Sequence, residues 1–392
     1  MTIGSKTYEF TVGSTTISAI TVAVAAAWNA LSATLYPEFA EITASSSATT
    51  IILTADTPGR PFTITVTTVE LGGGASDSQT VTPAATTANS GPYNWDTAAN
   101  WSTGAVPVDG DSVRIDSGSD IRYGFPGATI EPASITILQS YTGKIGLLPT
   151  NKDASTQYPE YRPQYLLVGP VLLTIGEGPG DGSGRIKIDT GTDPVVVRIL
   201  NTGQSEDPAR GAVILKGSEA TNQYHIQNGY VELAPYLGED ADVSVLTVAN
   251  DAVVNVGSGV TLTDSTITQS GGSLTLNSAS SGTSPITLNE GTLTLNGTGG
   301  HVDLTVRGGT CVYNSTGTLG GNPRVEGRGH LDFSQDLRSR AVTNPIEVFG
   351  ENAKVSDPYK TVATLVLDLN GTENNANLRI GRNIRVTRGT PS

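Results

Sequence analysis

Past residue 210, short alternating runs of apolar and polar residues recur behind a glycine or its substitute. They read Gly211-Ala-Val-Ile-Leu215, Gly229-Tyr-Val-Glu-Leu233, Asp251-Ala-Val-Val-Asn255, Gly272-Ser-Leu-Thr-Leu276, Gly291-Thr-Leu-Thr-Leu295, Gly309-Thr-Cys-Val-Tyr313 and Gly329-His-Leu-Asp-Phe333. Their leading residues stand 18, 22, 21, 19, 18 and 20 apart. A second run precedes most of them, at residues 245–248, 266–268, 286–288, 304–306 and 346–348. Each period therefore holds two short strands, a glycine turn and a variable loop. About 20 residues is the size of one coil of a stacked β-solenoid, whose coils pair in parallel and bury a common apolar column. An antiparallel sandwich also spaces strands regularly. The near identity of Gly272-Ser-Leu-Thr-Leu-Asn277 and Gly291-Thr-Leu-Thr-Leu-Asn296 favours stacking, because stacked faces favour identical residues. The expected fold is mainly β, a parallel β-solenoid (β-helix), with Leu274, Leu276, Leu293, Leu295, Val312 and Phe333 inward.

Residues 91–210 carry a weaker form of the pattern and read as the solenoid start, with strands at 134–138, 165–168, 172–175, 185–189 and 195–200. Wide coils are expected there, with Tyr158, Tyr161 and Tyr165 of the long loop 149–163 packed on a coil face. Residues 1–70 differ. Ile20, Val24, Trp28 and Leu31 fall at helical spacing through an alanine-rich stretch. Strands are expected at 8–12, 41–43, 50–55 and 62–69, with Pro58-Gly59 turning between the last two. This is a small α+β module, taken as an anchor. Residues 71–90, rich in Gly, Ser, Thr and Ala, read as a linker. Residues 211–392 are the regular solenoid and its C-terminal cap, where Arg379, Arg382, Arg385 and Arg388 alternate with apolar residues.

Composition agrees with short strands and turns: 46 glycines, 15% charged residues and 6% aromatics in 392 residues. The net charge of -14 argues against a nucleic-acid surface, which needs clustered Lys and Arg. No apolar stretch reaches the ~20 residues of a membrane span, and no signal peptide opens the chain. The one cysteine, Cys311, reads as a buried small hydrophobe.

Little in the chain suggests chemistry. The three histidines, His225, His301 and His330, have no second His or Cys at ligand spacing, so no metal, cofactor or catalytic residue is expected. The stretch Gly176-Glu-Gly-Pro-Gly-Asp-Gly-Ser-Gly184 lacks the ending of a phosphate loop and reads as a wide turn. One charged cluster stands out. Arg324, Glu326, Arg328, His330 and Asp332 alternate, so one extended strand would set all five on one face as a contact for a glycan or partner. Gly327 and Gly329 between them allow a bulge or turn instead. The simpler reading is a solvated face whose charges pair across the sheet.

The segment from Tyr93 to Ile115, with Trp95, Trp101, Gly104, Pro107, Gly110-Asp111 and Val113-Arg-Ile115, resembles the stretch that opens β-helical regions in bacterial surface and autotransporter-like proteins. Trp95 and Trp101 would close the end of a solenoid, with sugar stacking as the rival role. Residues 165–188, with Ala26-Ala-Trp-Asn29 and Leu53-Thr-Ala-Asp-Thr-Pro-Gly-Arg-Pro-Phe-Thr-Ile64, resemble phage and prophage virion structural proteins. That resemblance implies a non-enzymatic capsid decoration or tail or fibre component, made in the host cytoplasm and carried on the virion. Its partners would be other virion proteins and copies of itself, a trimer by analogy with phage fibres. No cofactor, nucleic acid or membrane enters this reading. The alternative is a polysaccharide-degrading or glycan-binding β-helix, a depolymerase or adhesin acting on a host-surface glycan.

Overall fold

The structure is a computed structural model that describes residues 1–14, 16–69, 81–85, 87–116, 118–262, 264–278, 284–369 and 384–387. Contacts divide the chain into two compact units. The first comprises Met1–Val106, Ser119–Pro126 and Ile145–Leu166, and the second Pro107–Gly118, Gly127–Lys144 and Leu167–Ser392. Most of the expected linker, residues 71–80 and 86, lies outside the described residues.

The second unit is the solenoid, a parallel β-structure of about 12 turns. One long face is built from Ser112–Ile115, Ser134–Leu138, Leu172–Glu177, Val196–Ile199, Gln223–Ile226 and Val245–Val248, each paired in parallel with the next. Register partners Leu172, Val196, Gln223 and Val245 stand 24, 27 and 22 residues apart, so the early coils are wider than the later ones. The face continues through Thr266–Leu276, Ile286–Leu295, Leu304–Val306, Arg324–Glu326, Ile346–Phe349, Leu365–Leu369 and Ile384–Thr387. A second face stacks Ile186–Asp189, Val213–Lys216, Tyr230–Leu233, Val253–Val256, the second halves of the two long strands, Thr310–Tyr313, His330–Asp332 and Lys354–Ser356. Of the C-terminal arginines, Arg379, Arg382 and Arg388 lie outside the described residues, and Arg385 belongs to the paired strand Ile384–Thr387.

Alternation puts one apolar column inside. Ile135, Leu173, Val197, Tyr224, Leu246, Ile267 and Ile286 are register neighbours in succession, and all are fully buried. No coil could bury this surface alone, so stacking is the source of stability. Gln269 interrupts the neighbouring column; its buried amide nitrogen lies 3.0–3.1 Å from the carbonyls of Gly271, Gly272 and Thr292, while its Oε1 has no hydrogen-bond partner among the described residues. Corner turns also carry an asparagine ladder, Asn314 to Asn296 at 3.2 Å and Asn296 to Asn277 at 3.0 Å.

In the repeats led by Gly229, Gly272, Gly291 and Gly309 the leading glycine turns that corner with a positive φ. Gly291 and Gly309 have φ of +93° and +69°, and a Cβ on either would sit 2.2–2.3 Å from a carbonyl oxygen of the coil before. Both the left-handed backbone and the close approach exclude a side chain. Leu274, Leu276, Leu293, Leu295 and Phe333 point inward as expected. Val312 does not. Leu293 pairs with Cys311 and Leu295 with Tyr313, so those two fill the core and Val312 faces outward between them. The period of two decides the side, whatever the residue's hydropathy.

In the first unit, the helix Ile17–Asn29 lies on the antiparallel hairpin Ile42–Ser47 and Thr50–Ala55. Ile3, Ala25, Trp28, Phe39, Ile42 and Ala44 form its core, and the Trp28 indole donates to the Ile42 carbonyl at 2.8 Å. Of the strands expected at 8–12 and 62–69, neither forms. A short hairpin, Thr2–Ile3 with Lys6–Thr7, precedes the first, and the second contributes only the bridge from Thr65 to Thr2. Its alternation survives as packing, with Phe62 and Ile64 set on the core. Tyr161 packs there too, so the loop tyrosine serves this core and not a coil.

Candidate functional site

The five residues of the charged cluster do not share a strand. Arg324–Glu326 ends at Gly327, whose φ is +58°, and the chain turns before His330–Asp332. Arg324 and Glu326 therefore stand on the first long face, His330 and Asp332 on the second, and Arg328 in the turn. Each paired residue of the cluster is engaged with its own or an adjacent coil. Arg324 Nε lies 2.6 Å from Glu347, and its guanidinium lies 5.5 Å from the Phe349 ring centre. Glu326 meets Arg307 at 3.4 Å, and His330 Nε2 meets the Ser356 hydroxyl at 2.9 Å. Asp332, nearly buried, accepts the Ser334 amide at 2.8 Å. Burial, then repulsion from Lys354, lowers the His330 pKa. Nearby Arg340 is a buried brace; its guanidinium donates to the carbonyls of Tyr313 and Asp336.

A second cluster, which no sequence pattern announced, lies on the outer side of the second face. Lys187, Ile214, Glu232 and Asn255 are register neighbours in four successive coils. The Lys187 ammonium and the Arg210 guanidinium stand 5.1 and 4.8 Å from the centre of the Tyr236 ring. Burial drops the Lys187 pKa to about 7, a shift that Glu239 opposes and that Arg185 and Lys216 reinforce. Burial also raises Glu232, whose carboxylate lies 3.9 Å from Arg210. Around them Lys216 meets Asp189 at 3.0 Å, and Glu206 takes both Lys144, at 2.7 Å, and Arg185. The Tyr236 ring thus takes both cations, and Arg210 joins it to Glu232. Lys187 and Glu232 occupy ordinary outward positions in their strands; the segment that covers Lys187 is the turn at Tyr236, which has no periodicity to betray it.

The first face also carries a shallow groove of about 520 Å³, with Arg114, Asp116, Ser134, Thr136, Ser140 and Glu177 along it. Asp116 accepts from the Ser140 hydroxyl at 2.5 Å and from Arg114 at 3.2 Å. In the first unit, Trp95 is buried and its ring meets Trp101 edge-on at 4.7 Å, so Trp95 offers no face to a sugar. His301 is buried with its ring edge-on to Tyr313, and neither ring nitrogen has a hydrogen-bond partner among the described residues. Among the described residues no group of three His, Cys, Asp or Glu is placed to hold a metal ion. Comparisons with family models, curated proteins and solved structures give no match.

Proposed function

We propose that this chain is a non-enzymatic structural protein of a phage particle, a capsid decoration or a tail or fibre component displayed on the particle surface. The observation that carries the reading is how the outer charges are used. Arg324 with Glu347, Arg307 with Glu326, and Lys216 with Asp189 each join one coil to the next, so they brace the stack. Acid and base catalysts must instead face a substrate within hydrogen-bond reach. The parallel pairing from Ser112 through Thr387 makes a stiff element suited to display. Resemblance of residues 165–188 and of the N-terminal stretches to virion structural proteins supports the setting.

Immunogold microscopy on particles released from the producing host tests this. Gold at a fixed position on intact particles is expected. Unlabelled particles, together with shortened chains when the purified protein meets host-surface polysaccharide, would establish a depolymerase instead.

A further inference from the structure

The hairpin of Ile42–Ser47 and Thr50–Ala55 has two edges, and only one is closed. On the closed edge the Ile42 N–H donates to the Phe39 carbonyl, and the Ile42 carbonyl accepts the Trp28 indole at 2.8 Å. The Asn29 side-chain amide takes both backbone groups of Ala44, donating to the carbonyl at 2.8 Å and accepting the N–H at 2.9 Å. Helix side chains thus stand where a third strand would.

The other edge is open. The Asp56 N–H donates to the Glu41 carbonyl, so the hydrogen-bonded pairs of the hairpin are Glu41 with Asp56, Thr43 with Thr54 and Ser45 with Ile52. Between them, Ile51, Leu53 and Ala55 direct their N–H and C=O groups away from the hairpin. None of these groups has a hydrogen-bond partner among the described residues. Edge strands are ordinarily blunted by a charge, a proline or a bulge. Residues 42–55 hold no charge and no proline, and the register runs unbroken from Ile42 with Ala55 to Ser47 with Thr50. A donor and an acceptor on every second residue complement one kind of partner, another extended backbone.

The strand is its own complement. Laid antiparallel on a second copy about a two-fold axis at Leu53, it sets Leu53 against Leu53 and Ile51 against Ala55. These are the open residues, so every open N–H meets an open C=O. Ile52, 43% exposed, then lies against Thr54 of the second copy, and Asp56 against Thr50, so no like charges are opposed.

We propose that Thr50–Ala55 is the edge through which two copies of the chain join, forming one continuous four-stranded antiparallel sheet centred on Leu53. The inference goes beyond the particle reading and is independent of it.

Two experiments on the full chain test it. Light scattering after size exclusion, at micromolar concentration, should give the wild type twice 40.5 kDa. Ile52→Lys with Thr54→Lys opposes like charges across the axis and should halve that mass, with far-UV circular dichroism unchanged. Ile52→Cys with Thr54→Cys instead sets one cysteine from each copy about 4.5 Å apart at Cα, within disulfide reach. Mild oxidation should then yield a covalent dimer, whereas Val253→Cys, exposed on the solenoid, should stay monomeric; the native Cys311 is buried. A wild type at 40.5 kDa or at three times that mass, a dimer that survives the lysine pair, or a cysteine pair that cross-links no better than Val253→Cys overturns the proposal. Each leaves the particle reading standing, because that reading fails separately, when the chain is missing from particles.

Discussion

Glu41 and Arg162 stand 121 residues apart in the chain and meet, carboxylate to guanidinium, at 2.9 Å inside the first unit. Both are largely buried. Glu41 also accepts the Tyr158 hydroxyl at 2.6 Å and an Arg60 N–H at 2.7 Å, while Arg162 donates to the Pro61 carbonyl at 2.6 Å and pairs with Glu160 at 3.0 Å. Residues 41, 60 and 61 are thereby tied to 158–162, which gives the N-terminal module a partner segment far along the chain.

Removing Arg162 would leave the Glu41 and Glu160 carboxylates short of a buried donor. Breaking such a pair costs ~3–5 kcal/mol. All three tryptophans, Trp28, Trp95 and Trp101, belong to the first unit, so their emission reports its unfolding alone. We expect Arg162→Ala to lower the stability read by tryptophan emission in urea by that amount, and adding Glu41→Gln to cost less than its own single-variant effect. A loss below ~1 kcal/mol would mean the pair is a surface-grade contact.

The core column makes a sharper test of register. Leu293→Ala should cost ~2–5 kcal/mol by far-UV unfolding, because Leu293 is fully buried between coils. Val312→Ala, one coil on but facing outward, should cost less than ~1 kcal/mol. Equal losses at the two sites would contradict the inward placement of Cys311 and Tyr313.

Lys187 should make neutral pH costly. Its folded pKa is about 7 against an ordinary 10.5, so between those values the unfolded chain binds a proton that the folded chain does not. Stability from this group is lost as pH falls from about 10.5 to 7 and is constant below, an effect on the order of 5 kcal/mol. Lys187→Met should therefore be more stable than wild type at pH 7, with the gap closing by pH 10. A variant less stable than wild type at pH 7 would show that the Tyr236 and Glu239 contacts outweigh burial.

His301 acts on the acid side. Burial holds it at about 4 against an ordinary 6.5, and no carboxylate offsets that burial. The unfolded chain takes up this proton first, so stability falls as pH drops from 6.5 to 4, on the order of 3 kcal/mol in all. His301→Leu should flatten that part of the pH–stability curve. An unchanged slope would place the acid sensitivity elsewhere.

Much of this architecture is written in the sequence because the solenoid repeats a local device. Gly291 and Gly309 are visible as leaders since no other residue fits a left-handed corner under a neighbouring carbonyl, and the alternation behind them gives the strands. Val312 is the exception: the places equivalent to Leu293 and Leu295 in its coil are Cys311 and Tyr313, and parity turns Val312 outward. Wider early coils blurred the pattern before residue 210, because loops of uneven length separate the strands. Arg324 to Asp332 kept strand periodicity across a turn, with Gly327 and Gly329 as the sign that the run is broken. Lys187 is illegible because the turn at Tyr236 that covers it lies nearly 50 residues further on, and Glu41 with Arg162 because their contact spans longer still.

The proposed role makes the chain a built-in part of a particle. Isotope-dilution counting of its peptides in gradient-purified particles measures this directly, with the major shell protein as reference. A constant whole-number ratio to the shell protein across preparations and salt washes is expected. A ratio that varies between preparations, or that falls towards zero on washing, would contradict it.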